Sequence, residues 1–163
     1  LTAFEETPFN LTDVVPADNQ ATPTSPGAIS ASASAPIPAS LALKVFFGNQ
    51  VRNPKAWQCG TVYPVMRTVA NTSAVARAAL TELLRGLQPT DSSAGFFTSL
   101  NPGVTIKQLT ITNGVARVDF GQLLMPPGGS SCLKDGIRAQ ITETLKQFST
   151  VRSVIISING ALF

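Results

Sequence analysis

The sequence predicts an α+β fold: a β-α-β-β-α-β two-layer sandwich, with two helices on one face of a small mixed sheet and an extended N-terminal arm ahead of it. Three observations predict it. Two stretches, about 73–87 and 131–148, carry apolar residues at the 3.6-residue period of an amphipathic helix. A strand-like alternation precedes the first and another follows the second. Between them lies Val104–Phe120, VTIKQLTITNGVARVDF, which reads as two strands joined by Asn113-Gly114. Asn-Gly is a strong hairpin signal, because a two-residue type I′ turn needs positive φ at both central positions.

The elements follow in order. Leu41–Phe47 is the first strand, with Leu41, Leu43, Val45 and Phe47 on one face. Thr61–Val69 is extended but holds Pro64, which cannot donate to a ladder, so it reads as an edge or irregular piece. The first helix is capped by Asn71, Thr72 or Ser73, buries Ala76, Leu80, Leu83, Leu84 and Leu87, and stops at Pro89. Residues 88–103 form a turn-rich link with Phe96 and Phe97 tucked beneath it. In the hairpin, Ala116, Val118 and Phe120 alternate with Val115, Arg117 and Asp119. On the other arm Val104 and Ile106 are out of phase with Leu109 and Ile111, which a bulge near Lys107-Gln108 reconciles. The second helix buries Leu133, Ile137, Ile141, Leu145 and Phe148. Its Gly136 costs about 1 kcal/mol relative to Ala. Arg152–Asn159 is the last strand, with Val154, Ile156 and Ile158 inward.

The domain is read as residues 41–163, preceded by an extended acidic arm over 1–20 and a Pro/Ser/Ala/Thr linker over 21–40. In the arm, Phe4, Phe9, Leu11 and Val15 are spaced apolar residues in a polar segment. The arm and linker carry Glu5, Glu6, Asp13 and Asp18 and no base, a net of −4. Residues 41–163 carry all 12 bases and five acids, a net of +7, for a chain total of +3. An acidic arm beside a basic domain invites docking on a second copy. Leu1 reads as a processed or trimmed N-terminus. No apolar run approaches the ~20 residues of a spanning helix.

Charged residues are only 13% of the chain, against 44% apolar, as in secreted or surface proteins. There is no histidine, which removes the commonest general base and the commonest metal ligand. Serines lack both a GxSxG elbow and a histidine. The five acids of the domain are scattered and read as surface charge, Asp119 and its neighbour Arg117 included, and Arg67 likewise. No catalytic, metal or cofactor residue is assigned, and the chain is read as no enzyme. Bases are spread rather than clustered, so nucleic acid is not an expected partner. Gly128-Gly129-Ser130-Ser131 reads as a tight turn with a serine cap rather than an anion cradle. Trp57 and Tyr63 read as aromatics that cover the core.

Taken in succession, several blocks resemble the GerMN domain, a module of bacterial sporulation and germination proteins and of many cell-envelope proteins. They are LKVFFGN (43–49), YPVMRTV (63–69), AALTELLRGLQP (78–89), ITNGVARVDFGQLL (111–124), the GGSS before the second helix (128–131) and QITETLKQFSTVRSVIISING (140–160). The resemblance covers about Leu43 to Gly160. It implies a non-enzymatic module, similar in architecture to the ring-building motifs of sporulation complexes, that docks or self-associates. Residues 1–40 lie outside it. The expected setting is extracytoplasmic and bacterial. There Cys59 and Cys132, the only cysteines, invite a disulfide. The expected partners are copies of the chain itself, in a filament or ring joined through the domain faces and the arm, with cell-wall or envelope components as a further class. The alternative is a monomeric envelope module that binds a wall glycan, a lipid head group or a partner protein.

Overall fold

The structure, a computed structural model, describes residues 39–54 and 58–163. The arm with Phe4, Phe9, Leu11 and Val15, nearly all of the linker, and Trp57 lie outside the described residues. The strands are β1 (Ser40–Asn49), β2 (Tyr63–Ala70), β3 (Phe96–Phe97), β4 (Ile106–Thr112), β5 (Val115–Phe120), β6 (Ser153–Ile158) and β7 (Ala161–Leu162). The helices are α1 (Val75–Arg85), α2 (Pro89–Ser93) and α3 (Ser131–Lys146), with a 3₁₀ turn over Gln122–Leu124.

The α+β class and the packing of helices on sheet are those the sequence predicts. The single sheet is not. The strands divide into two sheets, ordered β2-β1-β3 and β4-β5-β6-β7. The second is the mixed one: β5 runs parallel to β6 and antiparallel to β4. Side chains of α3 supply the physical reason for the division. β1 pairs with β2 along Ser40–Phe47, but β3 covers only Gly48 and Asn49 on the other side. The rest of that inner edge is met by α3. Phe46 N donates to Thr144 Oγ1 (3.1 Å), Lys44 N donates to Gln147 Oε1 (2.9 Å), and Gln147 Nε2 donates back to Lys44 O (2.7 Å). A sheet edge whose amides are taken by side chains no longer invites a strand.

The core forms where α3 lies against β1, α1 and β6. Leu43, Val45 and Phe47 of β1, Leu80 and Leu83 of α1, and Ile137, Ile141 and Leu145 of α3 are all buried there. In β5, Ala116, Val118 and Phe120 are buried, in the predicted phase. The predicted bulge is present as a register shift between Ile106 and Gln108. Asn113 and Gly114 have φ of 52° and 82°, as a type I′ turn requires. β2 is an edge strand that keeps Pro64.

Local departures have local causes. α1 starts at Val75 with Ala74 as its cap residue and no side-chain cap bond, while Thr72 Oγ1 accepts from Ala74 N (3.1 Å). α1 does not run on to Pro89: it ends at Arg85, with Gly86 at a φ of 86° as its C-cap, and Pro89 instead stands in the first turn of α2, so the link at 88–103 holds α2 and β3. Phe96 is half-buried, but Phe97 is not tucked beneath the link: it is 45% exposed. Gly136 has a packing reason. A Cβ there would lie 2.4 Å from Ser99 Oγ and 3.4 Å from Cys59 O. Tyr63 is half-buried, with Arg52 stacked over its ring at 5.5 Å.

Candidate binding cleft

One end of the domain is assembled by Asn49, the last residue of β1. Its side chain is almost fully buried and makes three hydrogen bonds. Oδ1 accepts from Val51 N (3.0 Å) and Arg52 N (2.9 Å), which turns the chain sharply out of the strand. Nδ2 donates to Ala94 O (3.0 Å) and ties that turn to the segment leading into β3. Asn53 then closes the loop on itself, as Nδ2 donates to Gln58 O (3.0 Å). Cys59 follows, bonded to Cys132 with a Cα–Cα distance of 5.2 Å. The loop after β1 is thereby fixed to the first turn of α3. Ser130 caps that helix, its Oγ accepting from Leu133 N (3.2 Å), as the Gly-Gly-Ser-Ser pattern predicts.

Between loop, β3 and helix lies a cleft of about 510 Å³. Pro54, Phe97, Leu133 and the two cysteines form its apolar lining. Gln50, Asn53, Gln58, Thr98, Ser99 and Ser130 supply amides and hydroxyls. None of the described lining residues is charged. The Phe97 ring lies against Gly48, its register partner, where a Cβ would be 2.3–2.8 Å from three ring carbons. Only glycine lets the ring rest there.

Beneath this end, Arg67 and Asp91 form an ion pair, at 6% and 7% exposure. Both read as surface charges in the sequence, and both are buried. Asp91 also accepts from Gln88 N (2.7 Å) in a capping box, and Arg67 donates to Met66 O (3.1 Å) with its guanidinium over Phe47. The pair locks β2 to α2. The signals were present: Arg67 shares the inward phase of Val65 and Val69, and Asp91 stands two residues after a helix-starting proline. Asn49 and Phe97 had no comparable signal, since their roles depend on the pairing of β1 with β3.

Asp119 is also more than scattered surface charge. Its Oδ1 accepts from Ser157 Oγ (2.6 Å) and Gly160 N (2.8 Å), so it fastens β5 to the β6–β7 turn. The Ser157 bond, the Gly160 bond and the positive Lys107 nearby hold its carboxyl below the usual value of 3.8. Among the described residues there is no group of three or more His, Cys, Asp or Glu arranged to hold a metal ion. No described helix is long and apolar enough to cross a membrane.

Fold and cleft define a small α+β domain, helices on sheet, stapled across one end by a disulfide. The chain belongs to the Germane family, described as sporulation and spore germination, whose model matches residues 44–162. Solved structures that it resembles include two from one sporulation protein. The first GerMN domain of the sporulation protein GerM from Bacillus subtilis matches at 23% identity and a TM-score of 0.54, over 76% of this chain and 86% of that one. The tandem GerMN domains of the same protein match at 22% identity and a TM-score of 0.58, over 76% of this chain. The match spans 41% of that tandem chain. No curated protein matches the chain. The GerMN resemblance drawn from the sequence blocks is thus the family the chain belongs to.

Proposed function

We propose that this chain is a non-enzymatic, extracytoplasmic structural module of a bacterial cell envelope that associates with copies of itself. One observation carries the reading. The outer edge of β4 is unpaired among the described residues, and Ile106–Thr112 carries a single charge, Lys107. Edge strands that are not meant to pair are blunted by charge, proline, bulges or cover; here Lys107 and the bulge protect only the start of the strand, and Leu109–Thr112 carries no charge or proline. Ile111 lies exposed on it. The N-terminal arm is the natural occupant. Phe4, Phe9, Leu11 and Val15 would supply side chains to an added strand, and the arm's negative charge complements the positive domain. A head-to-tail contact of this kind builds a filament unless its geometry closes a ring. The disulfide supports an oxidising compartment.

Size-exclusion chromatography and negative-stain microscopy test the proposal on the oxidised full chain. Filaments or rings are expected, with monomers after deletion of residues 1–20 and after Ile111→Lys. A full chain that stays monomeric at high concentration refutes self-association. A deletion variant that still assembles refutes the arm as the joint.

A second reading, a monomeric binding module for an envelope component, is favoured by the cleft. In it residues 1–40 are a spacer whose removal is silent.

A further inference from the structure

We propose that the cleft beside the Cys59–Cys132 disulfide binds an uncharged glycan, with a sugar ring stacked on the open face of Phe97. The inference rests on the binding-module reading and names its ligand.

Four features lead there. The cleft holds about 510 Å³, inside the roughly 300–1,000 Å³ range of small-ligand sites. Its aromatic ring is presented rather than packed away. Phe97 rests on Gly48, where any side chain would collide with the ring, and it keeps 45% of its surface exposed. An immobilised aromatic face matches the C–H face of a pyranose, which is apolar and carries slight positive charge toward the ring's negative face.

The polar lining is of the neutral, two-way kind. Gln50 and Gln58 offer amides, and Ser99 offers a hydroxyl. The side chains of Gln50 and Gln58 make no hydrogen bond to another described residue, so both amides are open to a ligand. An amide is donor and acceptor together, as is a sugar hydroxyl, so each can serve whichever role the ligand presents. The polar groups that the described lining residues offer are all neutral, and they match the hydroxyls and amides of an uncharged sugar.

The frame is also fixed before any ligand arrives. Asn49 sets the turn, Asn53 closes the loop, the disulfide bolts it to α3, and Gly136 lets the helix approach Ser99 and the Cys59 carbonyl closely. Preorganisation of this sort lowers the ordering cost of binding, which matters most for the weak, many-hydroxyl contacts of sugars.

The test is a titration of the oxidised full chain with chitotriose, the soluble β-1,4-linked trimer of N-acetylglucosamine, followed by amide chemical shifts. Tetra-alanine serves as an uncharged peptide in a parallel titration. Saturable shifts at Gln50, Gln58, Thr98 and Ser99 are expected with chitotriose and not with the peptide. Phe97→Ala should weaken binding at least tenfold. Gln58→Ala, on the loop and away from the core, should weaken it severalfold and keeps the test open if the Phe97 variant folds poorly. No saturable shifts with chitotriose overturn the proposal, as does occupancy of the cleft by the peptide instead. Shifts confined to another face also overturn it, while leaving the binding-module reading in place.

Discussion

Replacing Asp91 by alanine should be among the most damaging single changes in the domain. Asp91 faces the Arg67 guanidinium, and the side chains are only 8% and 5% exposed. The substitution leaves a full positive charge buried and removes the acceptor for Gln88 N, which lies 2.7 Å from Asp91 Oδ2. Removing one partner of a buried pair costs about 3–5 kcal/mol, because the remaining charge is desolvated without compensation. That is a large share of the roughly 5–15 kcal/mol that holds a domain folded. At about 4 °C per kcal/mol, the midpoint should fall by about 12–20 °C. Arg67→Met strands the carboxylate instead, but the Gln88 amide still serves it, so its cost should be smaller, about 2–3 kcal/mol. The double variant removes both charges and should cost no more than about 2 kcal/mol, since an apolar replacement of a buried pair is often near neutral. Urea unfolding followed by far-ultraviolet circular dichroism of all four proteins measures the coupling. A cost below about 1 kcal/mol for Asp91→Ala, or a double variant that costs the sum of the singles, would refute this account.

Three further predictions are independent of that pair. Gly136→Ala should destabilise by about 1–2 kcal/mol in spite of a helix-propensity gain near 1 kcal/mol, because its Cβ would meet Ser99 Oγ at 2.4 Å; in a Ser99→Gly background the same change should be stabilising by chemical denaturation. Replacing both cysteines by serine opens a loop of 73 residues and should cost about 4 kcal/mol in the chain-entropy picture, read as a lower urea midpoint that reductant no longer shifts. Asp119 has a depressed folded-state pKa, so its contribution is present above the unfolded value near 3.8 and is lost as pH falls through the lower folded value. Asp119→Asn should therefore lower the melting temperature at pH 7 and flatten its fall below about pH 4; an identical acid profile in both proteins would remove Asp119 from the account.

Local chemistry was legible in the sequence, and pairings between distant segments were not. The Asn113-Gly114 turn, the bulge at Lys107-Gln108, the Ser130 cap and the stripes of α1 and α3 each depend on residues a few positions apart, and they are where the sequence puts them, except that Leu87 and Phe148 fall beyond the helix ends and are half-buried. The division into two sheets depends on Thr144 and Gln147 meeting Phe46 and Lys44 about a hundred residues away. Thr144 and Gln147 look like ordinary polar helix residues until that meeting is known. The cleft was hidden for the same reason. Phe97 reads as one more core aromatic, and only the register of β3 against Gly48 shows that its ring is held outward. Arg67 shows a third kind of miss: its phase along β2 was inward, but composition argued for surface, and an unseen partner on another element decided the matter.

The seal that α3 places on β1 also sets an order of events. Lys44 and Gln147 are 103 residues apart, and Phe46 and Thr144 are 98 apart. When the chain emerges N-terminus first, β1 can pair with β2 early, yet its inner amides wait for α3. At synthesis rates of about 5–20 residues per second that wait lasts roughly 5–20 s. During it, half of a strongly apolar hairpin stands open to other nascent chains. A holdase that shields extended apolar segments would have its greatest effect in this interval, and the amides of Lys44 and Phe46 would be the last in their strand to gain protection from hydrogen exchange.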